Sequence, residues 1–190
     1  MDWKSFFKSH NIDYADFYVT KNKKEVNNLV KKVGYPVVLK ANDLNHKSDK
    51  GGIIFVNHEK ELQKAVDRIS KLSKSILVQK RVRGREIVIS CEKDETFGSY
   101  IMLGMGGTYV EVLKDVAYGI NPIDKKTAKD MLNELKLGET LGSFRGQRNA
   151  REEIEKLLVK LSRIAHKKKI TFEFNPIIIT DESLKVVDFR

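Results

Sequence analysis

Apolar residues along the first 80 positions recur with spacings that predict alternating helices and strands. Between Val26 and Val33 the apolar positions follow helical spacing, and Gly34 ends that helix. A short apolar run then predicts a buried strand over Pro36–Lys40, and a polar loop over Asn42–Gly52 follows it. The other elements predicted for this half are a helix from Trp3 to about Ser9, strands over Ile53–Val56 and Ser75–Lys80, and a helix with the buried stripe Leu62, Ala65, Val66, Ile69 and Leu72.

The second half of the chain begins with a segment whose side chains alternate between the two faces of a predicted strand. Ile87 and Ile89 point to one face of a strand, whereas Glu86, Val88 and Ser90 point to the other. Two such successive units, over residues 1–80 and 81–190, predict an α+β protein with a cleft between two lobes. The remaining predicted elements are strands over Tyr100–Leu103 and Val110–Leu113 around the glycine turn Gly104–Gly107, a helix near Thr127–Leu135, a long helix that buries Ile154, Leu157, Leu158, Leu161, Ile164 and Ala165, and a hairpin of Ile170–Ile179 and Leu184–Phe189 around Asp181–Ser183.

Length and composition bound the class of protein. With 190 residues and 41% hydrophobic content, the chain can form one compact domain or two small lobes. No run approaches the roughly 18 apolar residues of a membrane span, and the N-terminal sequence lacks the pattern of a signal peptide. Cys91 is the only cysteine, which excludes an internal disulfide and a cysteine-based metal site. These features predict a cytoplasmic protein that does not associate with membranes.

The net charge of +10 leaves several classes of partner open. It arises from 36 basic and 26 acidic residues, and such an excess suits nucleic acid, an anionic surface or phosphorylated small molecules. A lysine-rich surface in contact with water explains the same number. Charge alone therefore does not select a function.

The strand that ends in Lys40 and the loop after it carry candidate chemistry. Lys40 is placed either to act as a point charge against nucleotide phosphates or simply to reach solvent. The loop holds His46, and Gly51 and Gly52 in it let the backbone approach a phosphate closely. A histidine in such a loop can be a general base, a metal ligand or a nucleophile toward phosphorus, or an ordinary surface residue.

The end of the chain combines two carboxylates with an amide. Strand alternation puts Glu173 and Asn175 on one face. If the hairpin loop has two or four residues, Asp188 lies opposite Ile177, diagonal to Asn175 on that same face. Carboxylate and amide oxygens are ligands that suit a Mg²⁺ ion carrying nucleotide phosphates. A polar face on a half-exposed hairpin explains the alternation equally well, but it does not explain why these groups converge beside Pro176.

With these residues in hand, the chain resembles the ATP-grasp subunit or domain of ADP-forming acetyl-CoA synthetases and related acyl-CoA synthetases. The similarity covers nearly the whole chain, and each motif is weak by itself whereas seven in the right order are specific. The motifs are Gly34–Lys40, His46–Gly52, Leu77–Gln79, Phe97–Gly98 followed by Gly104–Asp115, Phe144–Gly146, Glu173–Pro176 and Val186–Asp188.

This resemblance implies an ATP-grasp fold that holds ATP or ADP between two α+β lobes. In that family a histidine of a CoA-binding partner, the alpha subunit or domain, takes phosphate from an acyl phosphate and passes it to a second histidine, which delivers it to ADP. His46 matches the second histidine, and the reaction is that of an ADP-forming acid–CoA ligase. By the same resemblance Lys40 binds phosphates, Gln79 lies at the adenine hinge, Glu86 contacts the ribose or hinge, Asn175 and Asp188 hold Mg²⁺, Glu173 orients His46, and Arg145 steadies phosphate.

Two departures from the family pattern keep other functions open. Gly119 stands where the family usually has an arginine, and Thr171 stands where it has an acid. The alternatives are a different ATP-grasp carboxylate ligase without a phosphohistidine, a non-catalytic nucleotide-sensing domain, and a basic nucleic-acid-binding module. No stacking aromatic motif supports the last of these, so nucleic acid is not an expected partner.

Overall fold

A computed structural model describes residues 1–44, 47, 50–107 and 113–190. The chain forms two compact units, one over Ala15–Val82 and the other over Met1–Tyr14 together with Arg83–Arg190. The helices are α1 (Trp3–Ser9), α2 (Val26–Val33), α3 (Glu59–Leu72), α4 (Lys125–Glu134) and α5 (Arg151–Lys168), and the strands are β1 (Phe17–Thr20), β2 (Val37–Ala41), β3 (Ile53–Val56), β4 (Ile76–Lys80), β5 (Arg85–Asp94), β6 (Gly98–Met105), β7 (Val116–Ile120), β8 (Phe172–Ile179) and β9 (Leu184–Val186).

The smaller unit is an antiparallel sheet with α2 and α3 on one face. Its strand order is β1-β4-β2-β3. Val37 and Leu39 of β2 are fully buried in a cluster with Val30 of α2 and Ile69 of α3. Leu72, which the helical pattern predicts to be buried, is instead 38% exposed. It is the last residue of α3, and the chain becomes extended at Ser73, so the end of the stripe lies beyond the sheet.

The larger unit is a five-stranded antiparallel sheet of order β7-β6-β5-β8-β9. Helices α4 and α5 pack on one face of it, over fully buried residues such as Ile89 and Ile101. In α5, Leu157 and Ile164 are only half-buried, whereas Ser162 is fully buried. The Ser162 hydroxyl accepts the backbone N–H of Ile123 at 3.1 Å, so the chain leading into α4 covers that side of the helix. The strand predicted near 110–113 falls largely outside the described residues.

The N-terminal helix belongs to the larger unit, which differs from the predicted division into 1–80 and 81–190. Helix α1 contributes Trp3, Phe6 and Phe7 to an aromatic cluster in which the Trp3 ring lies 5.8 Å from Phe174 and 5.3 Å from Phe189. Asp2 caps the helix by accepting the backbone N–H of Lys4 at 3.1 Å. Among the described helices, none is long and apolar enough to cross a membrane.

Phe7→Ala is expected to destabilise the larger unit by roughly 3–5 kcal/mol. Phe7 is completely buried, and its removal leaves a cavity inside the aromatic cluster. Trp3 is the only tryptophan and stacks on Phe7 at 5.8 Å, so its fluorescence reports unfolding of this unit in a denaturant titration. Phe97→Ala serves as the control, because Phe97 is 69% exposed and its loss should leave the midpoint unchanged.

Candidate functional site

The hairpin of β8 and β9 brings Asn175 and Asp188 directly opposite each other. Its register pairs Ile177 with Val186, and further along the backbone N–H of Asn175 donates to the carbonyl of Asp188 at 3.1 Å. The prediction that Asp188 lies opposite Ile177 is therefore wrong by two residues. Directly opposed side chains start about 4.5–5.5 Å apart at Cβ, compared with about 7–8 Å for diagonal neighbours, so the pair is closer than predicted.

A bulge in β8 marks the same place. Ile87 of β5 pairs with Ile177, but Ile89 pairs with Phe174, so Asn175 and Pro176 together oppose the single residue Val88. Pro176 has no N–H to donate to the ladder, and bulges re-aim side chains. The sequence signals the bulge only through the proline.

Glu173 connects Asn175 to Arg190. The side-chain amide of Asn175 donates from Nδ2 to Glu173 Oε1 at 3.0 Å. Arg190 donates from Nε to Glu173 Oε2 at 2.7 Å, and its Nη2 donates to the same oxygen. Because the amide nitrogen of Asn175 is held by Glu173, its carbonyl oxygen is directed away from Glu173. Sequence reasoning did not single out Arg190.

These groups fit a hard divalent cation. In the part of the chain that the structure describes, no cluster contains three or more His, Cys, Asp or Glu side chains suited to a metal. The candidate set is instead the amide oxygen of Asn175 with the carboxylate of Asp188, both oxygen donors of the kind that Mg²⁺ prefers, while the two oxygens of Glu173 accept from Asn175 and Arg190. They lie on the face of the sheet opposite to α4 and α5, because Phe172 and Phe174, which alternate with them, are buried on the helix side.

Lys40 and Gln79 lie together in the smaller unit. Lys40 of β2 pairs with Leu77 of β4, and Gln79 pairs with Val38, so the two side chains share the face opposite to α2 and α3. Lys40 is 4% exposed and Gln79 is 1% exposed. The Gln79 side chain donates to the carbonyl of Ala15 at 3.5 Å, so it has a structural partner within this unit. Its role at the adenine hinge stays a prediction.

Gly51 and Gly52 lie immediately before β3, whose first residue, Ile53, pairs with Lys40. Gly51 has a φ of 66°, a left-handed conformation that glycine adopts without strain. The Gly52 carbonyl accepts the backbone N–H of Ala41 at 2.8 Å, and the Gly52 N–H donates to the carbonyl of Lys47 at 2.7 Å. A Cβ at Gly52 would lie 3.0 Å from the Lys47 carbonyl oxygen. His46, predicted to be the phosphorylated residue, lies outside the described residues, as do Asn45, Ser48 and Asp49.

Glu86 packs against the glycine turn. Its carbonyl accepts the N–H of Gly106 at 2.6 Å, and a Cβ at Gly106 would lie 2.4 Å from the Glu86 Cβ. A larger residue at 106 therefore cannot fit beside Glu86. Glu86 is half-buried and, by strand alternation with Ser90, which pairs with Glu173, it shares the face of Glu173.

Arg145 is not brought to Asn175 and Asp188 by a described contact. It sits in an exposed turn with a φ of 48°, and its guanidinium lies 5.4 Å over the ring of Phe144. Asp115, for which the sequence suggested no role, is buried and accepts the backbone N–H groups of Lys136 at 2.7 Å and Leu137 at 2.9 Å. It fixes the chain after α4.

Gly119 faces the helices. It pairs with Ile101 on the buried face, and a Cβ there would lie 2.8 Å from Ile123 Cγ2 and 3.1 Å from the Met131 sulfur. An arginine at 119 would have to displace α4, and it would start on the face opposite to Asn175. The glycine is thus built into the packing of this chain.

Cys91 lies inside the core of the larger unit. It is fully buried, and burial raises the pKa of its thiol to about 12 although a hydrogen bond with Asn121 acts in the opposite direction. The thiol is therefore neutral at pH 8, whereas the thiolate is the form that reacts with alkylating agents. Iodoacetamide followed by mass spectrometry should leave native Cys91 unmodified and alkylate it fully in denaturant. Rapid labelling of the native protein would contradict the burial.

An α+β chain of two antiparallel units, with a buried lysine in one and an opposed Asn–Asp pair in the other, has the features of a nucleotide-binding fold. The chain belongs to the ATP-grasp domain family, which matches residues 1–190.

Similar proteins include an ADP-forming acetate–CoA ligase I of Archaeoglobus fulgidus, 36% identical over 96% of this chain. The beta subunit of the ADP-forming acetate–CoA ligase I of Pyrococcus furiosus is 31% identical, over 98% of this chain and 88% of that one. A solved structure of the acetyl-coenzyme A synthetase 1 of Ca. Korarchaeum cryptofilum, with coenzyme A, Mg-AMPPCP and a phosphohistidine segment pointing towards the nucleotide-binding site, is 33% identical with a TM-score of 0.80 over 98% of this chain and 88% of that one. The chain spans 29% of the length of the Archaeoglobus ligase.

Proposed function

We propose that this chain is the nucleotide-binding part of an ADP-forming acyl-CoA synthetase. With a CoA-binding alpha subunit as partner, it interconverts acyl-CoA, ADP and phosphate with carboxylic acid, CoA and ATP. The observation that carries the proposal is the opposed pair of Asn175 and Asp188, with Glu173 holding the Asn175 amide, in a chain of the ATP-grasp family. The names of its relatives, acetate–CoA ligases that form ADP, supply the reaction class.

The central chemical step is phosphoryl transfer at His46. In one direction a neutral imidazole nitrogen attacks the terminal phosphorus of ATP, so that a P–N bond forms and the P–O bond to ADP breaks. In the other direction ADP takes the phosphoryl group back and the imidazole is released. A neutral imidazole is a competent nucleophile near neutral pH. The phosphohistidine segment of the Korarchaeum enzyme supports this assignment.

The other candidate site residues position the phosphate groups and neutralise their charge. Lys40, a buried residue of β2, places an ammonium against the phosphates, and Gly51 and Gly52 allow the backbone to come close to them. Asn175 and Asp188 are the residues that would hold Mg²⁺, which when bound neutralises phosphate charge. Transfer of this kind depends mainly on positioning and charge stabilisation, and these side chains supply both.

Arg190 is a positioning residue in this scheme. It holds one oxygen of Glu173 while the other oxygen holds the Asn175 amide, so the Asn175 carbonyl stays directed outward. Removing a side chain that holds a metal ligand in place by a hydrogen bond typically lowers the metal affinity by about 10–100-fold.

Arg190→Gln is therefore expected to raise the Mg²⁺ concentration for half-maximal activity by about tenfold or more, with little change in the rate at saturating Mg²⁺. Arg190→Lys should recover part of the loss. Arg83→Gln is the matched control, because Arg83 is exposed and should leave the Mg²⁺ curve unchanged. An unaltered Mg²⁺ curve for Arg190→Gln would remove Arg190 from the scheme.

The proposed function is tested by reconstituting the reaction with a co-purified CoA-binding partner. Acyl-CoA, phosphate and ADP are supplied, and ATP formation is followed with each chain alone and with both together. We expect ATP only when both chains are present. Nucleotide binding by this chain without any ATP formation by the pair would point to a nucleotide sensor and contradict the enzyme proposal.

A further inference from the structure

Strand β7 forms one edge of the sheet in the larger unit and pairs there with β6. At its end, the backbone N–H of Asn121 donates to the carbonyl of Ser99 at 2.9 Å. Bonded and non-bonded pairs alternate along an antiparallel ladder, so every second residue back from Asn121 bonds to β6. The residues between them turn their backbone N–H and C=O groups away from the sheet, and they are Val116, Tyr118 and Ile120.

The two edges of this sheet differ in how they are covered. At the opposite edge, β9 has three residues, one of them Lys185, and its Val186 N–H donates to the carbonyl of Asp13 at 3.0 Å. Strand β7 has five residues, none of them charged and none a proline, and it pairs with β6 without a bulge. Charges, prolines, bulges or a covering segment normally protect an edge from another strand. Within the described residues, β7 has none of these.

Two large apolar side chains lie on this edge. Tyr118 is 58% exposed and Ile120 is 56% exposed, and they share one face of the strand because they are two residues apart. The Tyr118 ring contacts Tyr100 edge-on, with the ring centroids 6.0 Å apart. Exposed apolar side chains beside unpaired backbone groups form the kind of surface that a further extended strand covers.

We propose that β7 pairs with β7 of a second copy of this chain, antiparallel about a two-fold axis at Tyr118. This register places Tyr118 opposite Tyr118 of the second copy, and Val116 opposite Ile120. Every outward backbone group of one strand then meets an outward group of the other, and the side chains are apolar on both sides. The surface is thus complementary to itself, as a two-fold interface requires.

The charges around β7 suit this pairing. The first exposed charged residues on either side of the strand are Lys114 and Asp124. An antiparallel arrangement brings Lys114 of one copy towards the end of the other copy that carries Asp124, so opposite charges approach. Helix α4, which packs over β7, exposes Lys126 and Asp130, paired with each other at 2.8 Å, so that side carries both signs of charge.

The contact is small, so the dimer is weak. An aromatic side chain buries about 150–250 Å², and more than half of Tyr118 and of Ile120 is available in each copy. Together with the strand backbones, this area stays below the roughly 1,200 Å² at which standard stable interfaces begin. We therefore expect a dissociation constant of roughly 10–100 μM, as for transient complexes.

The first test places charge on the axis. Sedimentation of the wild type should show a dimer as its concentration is raised through the expected dissociation constant. Tyr118→Lys and Tyr118→Glu should each weaken the dimer by about tenfold or more, because like charges then face each other, whereas an equimolar mixture of the two variants should associate again. Phe55→Lys is the matched control, since Phe55 is a 54% exposed aromatic residue on β3, an edge strand of the smaller unit, and denaturant midpoints show that the variants are folded.

The second test is a disulfide across the axis. Residues in a hydrogen-bonded antiparallel pair lie about 5.5 Å apart at Cα, within the roughly 4.4–6.8 Å that a disulfide spans, so Tyr118→Cys should yield a covalent dimer under mild oxidation. Ile120→Cys is its control, because the two copies of residue 120 would lie about four residues, or roughly 13 Å or more, apart. Cys91 is buried and does not compete.

Several results would overturn the proposal. They are a wild type that stays monomeric, a mixture of the lysine and glutamate variants that does not associate, and a dimer that Phe55→Lys breaks and Tyr118→Lys does not. An edge that binds only a CoA-binding partner, without self-association, would show that another chain covers β7 and would also overturn it. Self-association is measured without the synthetase reaction, so the failure of either proposal leaves the other untouched.

Discussion

Replacing His46 with glutamine is expected to lower the overall synthetase activity by at least about 10³-fold, because an amide cannot serve as the nucleophile toward phosphorus. Glutamine retains similar size and hydrogen-bonding capacity, so ADP affinity should stay within a few-fold of the wild-type value. The measurement is ATP formation from acyl-CoA, phosphate and ADP with the partner present, alongside ADP titration of the variant.

His58→Gln is the matched control for this result. His58 is an exposed histidine at the start of α3 and has no place in the proposed reaction, so its loss should leave the rate unchanged. Full activity of the His46→Gln protein would exclude phosphoryl transfer through His46. The function would then be that of an ATP-grasp ligase that forms an acyl phosphate without a phosphohistidine.

Removing either member of the Asn175–Asp188 pair is expected to have the second largest effect. Asp188→Ala should reduce the rate by about 10²–10³-fold, because the charge that holds the cation against the phosphates is lost. Asn175→Ala should do the same, whereas Asp188→Asn keeps an oxygen donor and should lose less. Raising the Mg²⁺ concentration should recover part of the rate in each variant.

Asp181→Asn provides the control within the same hairpin. Asp181 is exposed in the turn between β8 and β9, so its charge is removed without touching the opposed pair. The measurement is the rate as a function of Mg²⁺ concentration for the four variants. A Mg²⁺ dependence in Asp188→Ala identical to that of the wild type would show that the cation is held elsewhere.

Much of the fold follows from local pattern. The helical spacing that ends at Gly34 and the apolar run that ends at Lys40 both lead to the observed elements, α2 and β2. Such signals are local, because the period of the apolar residues and a terminating glycine are contained in a few consecutive positions. The α+β class is confirmed for the same reason.

What could not be predicted depends on contacts distant in the sequence. The place of α1 in the larger unit follows from aromatic packing between Trp3 and Phe189, which no local spacing encodes. The register of β9 and the bulge at Asn175 are set by pairing across two neighbouring strands. The identities of Asn175 and Asp188 as candidate ligands could be predicted from residue type and alternation, but their direct opposition and the Arg190 contact required the structure.

One half-reaction of the proposed phosphoryl transfer through His46 needs this chain alone. The protein is incubated with Mg²⁺ and ATP labelled at the terminal phosphate, with no CoA-binding partner and no acyl group, and bound phosphate is tested for stability in acid and base. Phosphoryl transfer to His46 predicts acid-labile, base-stable label on the peptide that contains His46, and no label in the His46→Gln protein. Absence of label in the wild type, or equal label in both proteins, would contradict it.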